Sequence, residues 1–128
     1  MDTPDEIAPA LCPKCKVAMI ATPAGDETIE RCPACKGLWF DLMTLDRIAK
    51  NRKLADALDP APPANAPKAA AVLLCPRDHS QLIKIAALGQ PHIKYESCKV
   101  CGGAFLDAGE LHDLAHVTLF EKLRQIFG

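Results

Sequence analysis

Large aromatic side chains are scarce: one Trp, one Tyr and four Phe serve 128 residues. A chain so poor in bulk cannot fill a broad core, and much of its apolar fraction is alanine. Segments of about 60 residues bury too little surface to be secure without a supplement. No segment approaches the ~20 continuous apolar residues of a membrane-spanning helix, so no membrane partner is expected. Neither sign of charge dominates, with 15 Lys and Arg against 16 Asp and Glu, and the markedly basic domain usual in nucleic-acid binders is missing. There is no Ser/His/Asp set, no glycine-rich phosphate loop and no acid pair with an evident cleft, so no enzyme is expected. The opening residues Met1 to Glu6 are acidic and lead into no apolar run. That predicts no secretory signal and a cytoplasmic, reducing location.

Against these absences stand seven cysteines. An odd count fits complete disulfide pairing poorly, and disulfides are rare in reducing compartments. Metal ligation is the remaining way for cysteines to hold a small fold together.

The two halves of the chain read alike. Cys32-Pro33-Ala34-Cys35-Lys36-Gly37-Leu38-Trp39-Phe40-Asp41 lies over Cys98-Lys99-Val100-Cys101-Gly102-Gly103-Ala104-Phe105-Leu106-Asp107 at an offset of 66. Upstream, Cys12-Pro13-Lys14-Cys15 lies over Cys75-Pro76-Arg77-Asp78 at an offset of 63. The three extra residues of the second copy belong in a loop. Residues 1–58 form one unit and 72–128 the other. Between them, residues 59–71 contain four prolines, which stop a helix and read as a semi-rigid linker.

Each unit predicts a small metal-stabilised α+β fold, a zinc ribbon followed by a helix. In the first, Met19–Thr22 and Glu27–Arg31 flank the turn residues Pro23-Ala24-Gly25-Asp26. In the second, Leu82–Ile85 and Ile93–Glu96 flank a loop containing Gly89-Gln90-Pro91. Helices are expected over 42–57 and 108–127. Asp41 and Asp107 sit at N-cap positions, and Asp107-Ala108-Gly109-Glu110 matches a capping box. Leu42, Leu45, Ile48 and Ala49 should turn inward, and Trp39, Phe40 and Phe105 should form the small core. A hairpin with one helix is not stable alone in water, so metal removal should unfold the ribbons. On this reading Cys32→Ser unfolds the first unit and spares much of the second.

Cys12, Cys15, Cys32 and Cys35 carry the spacing of a structural zinc site, two CxxC knuckles sixteen residues apart. A two-residue gap folds each pair so that both sulfurs point at one ion, and the hairpin sets the knuckles opposite one another. Four thiolates leave no open position for activated water. Iron also takes four thiolates; zinc is the preferred reading, two ions per chain. At the second site Cys75, Cys98 and Cys101 supply three ligands. Asp78, at the position of Cys15, or its neighbour His79 supplies the fourth. His92, His112 and His116 read as surface residues. Lys14, Lys16, Arg31 and Lys36 crowd the first site, with Arg77 and Lys99 near the second. They read as cations offsetting thiolate charge rather than as a phosphate-binding patch.

The string CPxCxGxWFD with a partner knuckle upstream resembles the bacterial zinc-ribbon family named after the ribbon of transcription factor IIB. Residues 12–50 carry the likeness through Cys12, Cys15, Cys32, Cys35, Gly37, Trp39 and Asp41. Residues 75–115 carry it through Cys75, Cys98, Cys101, Gly103, Asp107, Gly109, Glu110 and Leu111. Cys75-Pro76-Arg77-Asp78 looks like the family's CPxDG variant, with His79 in place of the glycine. The resemblance implies a zinc-ribbon fold and little about biology.

The function expected is a non-enzymatic one, with structural zinc ribbons serving as a protein-interaction module. A nucleic-acid-binding ribbon acting in transcription is the alternative, and a redox or metal-trafficking protein is a weaker one. Leu119, Phe120, Leu123, Ile126 and Phe127 continue the last helix as an apolar stripe. That stripe either folds back on the first ribbon or the linker, or pairs with a second copy as a homodimer or with a partner helix.

Overall fold

The computed structural model describes residues 10–59, 72–87 and 90–116. The linker from residue 60 onward and the stripe beyond residue 116 lie outside these residues.

Strand β1 (Ile20–Ala24) runs through Pro23, which was expected in the turn, and returns as β2 (Glu27–Arg31). Ala24 pairs with Glu27, so the turn is only Gly25-Asp26. Gly25 takes φ 65° at its first position, the backbone that two-residue hairpin turns demand and that glycine supplies without steric cost. Strand β3 (Leu38–Phe40) follows the second knuckle. In the second copy β4 (Ile83–Ala87) and β5 (Gln90–Ser97) extend into the expected loop. The register shifts between Ala86 and Ala87, which bypasses Pro91, a residue with no N–H to give to the ladder. Strand β6 is Ala104–Leu106.

The strands form one antiparallel sheet in the order β1-β2-β3-β6-β5-β4. The two copies are therefore joined edge to edge at β3 and β6, with Leu38 opposite Leu106, Trp39 opposite Phe105 and Phe40 opposite Ala104. Trp39 and Phe105 are equivalent residues of the two copies, so the seam lies on an approximate twofold axis. Both faces of the sheet are covered at this seam, which is why Leu-Trp-Phe and Ala-Phe-Leu are unbroken apolar runs. Alternation sends Leu38, Phe40, Ala104 and Leu106 to the helical face, packed with Ile29, Ile48, Ala55 and Leu111. It sends Trp39 and Phe105 to the other face, against Met19, Leu82 and the cysteines. Each core draws on both copies. The two units thus share one sheet and both cores.

The glycines of the seam show how close the copies lie. A Cβ on Gly103 would meet Trp39 Cζ2 at 2.2 Å, and one on Gly37 would meet Phe105 Cζ at 2.5 Å. Each copy leaves out a side chain where the other copy's aromatic ring sits.

The first helical segment departs from expectation. It breaks into α1 (Thr44–Ala49) and α2 (Arg52–Leu58). Asn51 causes the break by acting as an N-cap, its side chain accepting the Leu54 N–H at 3.1 Å. Ile48 and Ala49 are buried and Leu45 packs on the core, but Leu42 is exposed. Nor does Asp41 cap α1. The N-cap is Met43, which offers no side-chain hydrogen bond. Residues 110–116 are helical. Their start keeps half of the expected capping box, with Glu110 Oε1 accepting the Asp107 N–H at 2.9 Å. Three further amides there find their acceptor across the molecule. Asp59, buried and next after α2, accepts from the N–H groups of Gly109, Leu111 and His112 at 2.8 to 3.2 Å. No helix among the described residues is long and apolar enough to cross a membrane.

Candidate metal centres

Four knuckles share one backbone form. In each, the N–H four residues after the first ligand donates to that ligand's carbonyl, as from Lys16 to Cys12, Lys36 to Cys32, His79 to Cys75 and Gly102 to Cys98. The first ligand's own N–H donates five residues on, to Val17, Gly37, Ser80 and Gly103. The residue closing each turn has φ between 64° and 80°. His79 thus occupies a left-handed position, where glycine is the easiest fit.

The turns bring Cys12, Cys15, Cys32 and Cys35 together, all four sulfurs within 4.8 Å of one another. Cys12 and Cys35 Sγ are 3.7 Å apart. This separation is far too long for a disulfide. It matches the ~3.75 Å edge of a tetrahedron with zinc–sulfur bonds of about 2.3 Å. Backbone amides turn toward the sulfurs: Cys15 to Cys12, Ala34 and Cys35 to Cys32, and Gly37 to Cys35, at 3.3 to 3.4 Å.

The second cluster joins Cys75, Cys98 and Cys101 with Asp78. Cys75 and Cys101 Sγ are 3.6 Å apart, and Asp78 Oδ2 lies 3.4 Å from Cys98 Sγ. Mixed sulfur–oxygen ligation of zinc gives an edge of about 3.6 Å. His79 is exposed and outside the cluster; its place in the turn points the ligand position to Asp78. The Ser80 hydroxyl and N–H donate to Asp78 Oδ1 at 2.5 and 2.9 Å. These bonds hold the carboxyl down at about 2. Both donor sets fit zinc, and the chain carries two zinc sites.

In the chain without metal, burial pushes the Cys12 thiol up to about 11 and the Cys75 thiol to about 12. Burial also takes Cys35 above the usual thiol range. A dication removes that penalty by ligating the thiolate outright. Four thiolates, or three with a carboxylate, close the tetrahedron and leave no site for substrate.

The charged residues around the clusters tie the copies together. Lys14 reaches Asp107 at 2.5 Å, and its counterpart Arg77 reaches Asp41 at 3.0 Å and also Glu30. Asp41 and Asp107 thus each receive the cation from the other copy's first knuckle, and Asp41 also accepts the Trp39 Nε1–H at 3.0 Å. Arg31 donates to the Leu58 carbonyl, and Lys16 to the Pro13 carbonyl at 2.9 Å. Trp39, Phe40 and Phe105 are fully buried. His112 and His116, assigned to the surface by the sequence, are half-buried and face Asp56. The side chain of His92 lies outside the described residues.

A family described as transcription factor zinc-finger matches residues 11–51. No curated protein and no solved structure matches the chain. Residues 11–51 hold the first CxxC pair, the hairpin, the second CxxC pair and α1, and the cluster at 75–101 repeats that arrangement with Asp78 for the second cysteine. Residues 11–51 are thus similar to the transcription-factor zinc-finger family, and the second cysteine cluster fits a tandem copy of that stretch.

Proposed function

We propose that this chain is a non-enzymatic adaptor, in which zinc builds a rigid double ribbon that presents an apolar surface to another protein. One observation carries the reading. Leu11 and Ile20 of the first ribbon are 50% and 57% exposed, and Leu74 and Ile83, 63 residues on in each case, are 41% and 39% exposed. Single exposed apolar residues need no explanation. The same two positions left open in both copies of a duplicated unit do. Leu11 and Leu74 each precede a ligand and form an isolated antiparallel bridge across their knuckle, to Ala18 and Gln81, so zinc fixes where they stand.

The nucleic-acid reading has less support. Lys14, Arg31 and Arg77 are engaged with protein groups. The aromatic rings nearest the metals are buried, away from any base that would stack on them. The test compares partner recovery from the native cell using the zinc-loaded chain and a variant with Leu11, Ile20, Leu74 and Ile83 changed to Ser that still holds two zinc ions. A partner kept by the first and lost by the second is expected. Equal recovery by both would overturn the reading, as would tight nucleic-acid binding that falls steeply with salt.

A further inference from the structure

Outside the two cysteine clusters, three more ligand groups converge. Asp56 lies on α2 of the first copy, and His112 and His116 lie one turn apart on the helix of the second. The convergence is enforced by the fold. Asp59, three residues after Asp56, holds the amides of Leu111 and His112, so the end of α2 is fastened to the start of the other helix. His116 Nε2 stands 2.7 Å from Asp56 Oδ1 and His112 Nε2 stands 3.8 Å from the same atom. The imidazole rings stack with centroids 4.2 Å apart.

We infer that Asp56, His112 and His116 form a third metal site, open and exchangeable, for a first-row divalent cation such as zinc. One ligand atom from each residue lies within 4.8 Å of the other two. The distances to Asp56 bracket the ~3.4 Å edge expected for nitrogen and oxygen ligands about 2.1 Å from zinc. Two imidazoles and a carboxylate suit zinc and its transition-metal neighbours better than calcium or magnesium, which take oxygen ligands. A further carboxylate stands behind the ring: Asp113 Oδ1 is 3.4 Å from His112 Nδ1. A proton on Nδ1 directed there leaves the Nε2 lone pair toward Asp56, the outer arrangement common to metal-binding histidines. The 2.7 Å contact between His116 Nε2 and Asp56 Oδ1 is one that a bound cation would replace. All three ligands are half-buried, whereas Cys12, Cys32 and Cys35 of the first cluster are buried. Three protein ligands leave a position for water or for a donor from another molecule. The site stands independently of the adaptor reading.

The experiment uses the full chain with its two zinc ions in place, titrated with cobalt(II). Cobalt here should bind as one further equivalent, with weak visible absorption and none of the intense thiolate charge-transfer band that replacement at a cysteine cluster would give. The imidazole NMR signals of His112 and His116 should move while those of His79 and His92 stay. Asp56→Asn, His112→Ala and His116→Ala should each abolish the third equivalent and keep two zinc ions. Asp113→Ala, an exposed change, should weaken it by about 10–100-fold. No third equivalent in the wild-type chain under excess metal would overturn the inference. So would unmoved His112 and His116 signals in that same chain, a reading that does not depend on any variant folding. A third equivalent unaffected by all four substitutions would place the ion elsewhere and overturn it too.

Discussion

Replacing Cys32 with Ser removes one ligand of the first cluster and should reach the second zinc, although none of its ligands is touched. The coupling follows from the shared sheet. Phe105, Leu106 and Leu111 of the second copy are fully buried in cores to which the first copy contributes. Burying such a side chain is worth about 1.5–3 kcal/mol. If half of that burial is against the first copy, its unfolding costs the second about 2–4 kcal/mol. Losing the Asp59 side chain from three amides at the start of the second helix adds about 1–2 kcal/mol. The exposed pair Arg77–Asp41 adds little. A total of about 3–6 kcal/mol corresponds to a loss of roughly 10²–10⁴-fold in affinity at the second site, because metal binding and folding are one equilibrium in ribbons of this size. Competition against a chromophoric chelator reads that affinity directly, and amide spectra report whether residues 75–107 stay folded. A Cys32→Ser chain holding one zinc at wild-type affinity, with second-ribbon signals unmoved, would refute the coupling and restore two separate bodies.

Three further outcomes are expected. Gly103→Ala places a methyl 2.2 Å from the fully buried Trp39 ring, so overpacking should lower stability by about 1–3 kcal/mol or more and alter the near-ultraviolet circular dichroism of Trp39; an unchanged melting temperature would contradict the seam. Asp59→Ala should cost about 1–2 kcal/mol by leaving buried amides without an acceptor, measured by denaturant unfolding of the zinc-loaded chain, whereas exposed Asp46→Ala should cost nearly nothing. Glu110→Gln tests a pH effect. Burial, with the charges of Asp107 and Glu96, raises the Glu110 carboxyl to about 7. A carboxyl raised on folding favours the folded state while protonated, and that contribution fades as pH rises from about 4.5 to about 7. The wild type should therefore lose up to about 2–3 kcal/mol relative to Glu110→Gln between pH 5 and 8; parallel stability curves for the two would show that Glu110 does not titrate there.

The cysteine spacing carried most of what was legible. CxxC pairs make the same turn wherever they fall, so Cys12, Cys15, Cys32 and Cys35 could be grouped before any strand was drawn, and the repeat carried Asp78 to the position of Cys15. The hairpins and the burial of Trp39, Phe40 and Phe105 followed from pattern and proximity. What escaped were effects acting between the copies. Asp41 and Asp107 have the residue type and position of caps, but a cation from the other copy draws their side chains away. Asp59 looked like the first residue of a linker, and its carboxylate is the actual cap of a helix fifty residues on. The Asn51 break could have been read, since asparagine is among the strongest N-caps; the apolar periodicity on either side concealed it. His112 and His116 looked like surface residues because their partner, Asp56, comes from the other helix.

The seam between Trp39 and Phe105 also bears on how such a chain can be altered. Equivalent residues opposing one another across antiparallel strands make an isologous contact, the kind two identical subunits form about a twofold axis. Covalent fusion turns that association into an intramolecular one, held at high effective concentration whatever the amount of protein. It also frees the halves from having to match. A homodimer must place the same side chain on both sides of its axis, whereas this chain sets a tryptophan against a phenylalanine, a four-cysteine site beside a three-cysteine one, and an aspartate on one helix against two histidines on the other. An isolated first ribbon would carry the β3 edge with nothing on it, and should find a second copy of itself.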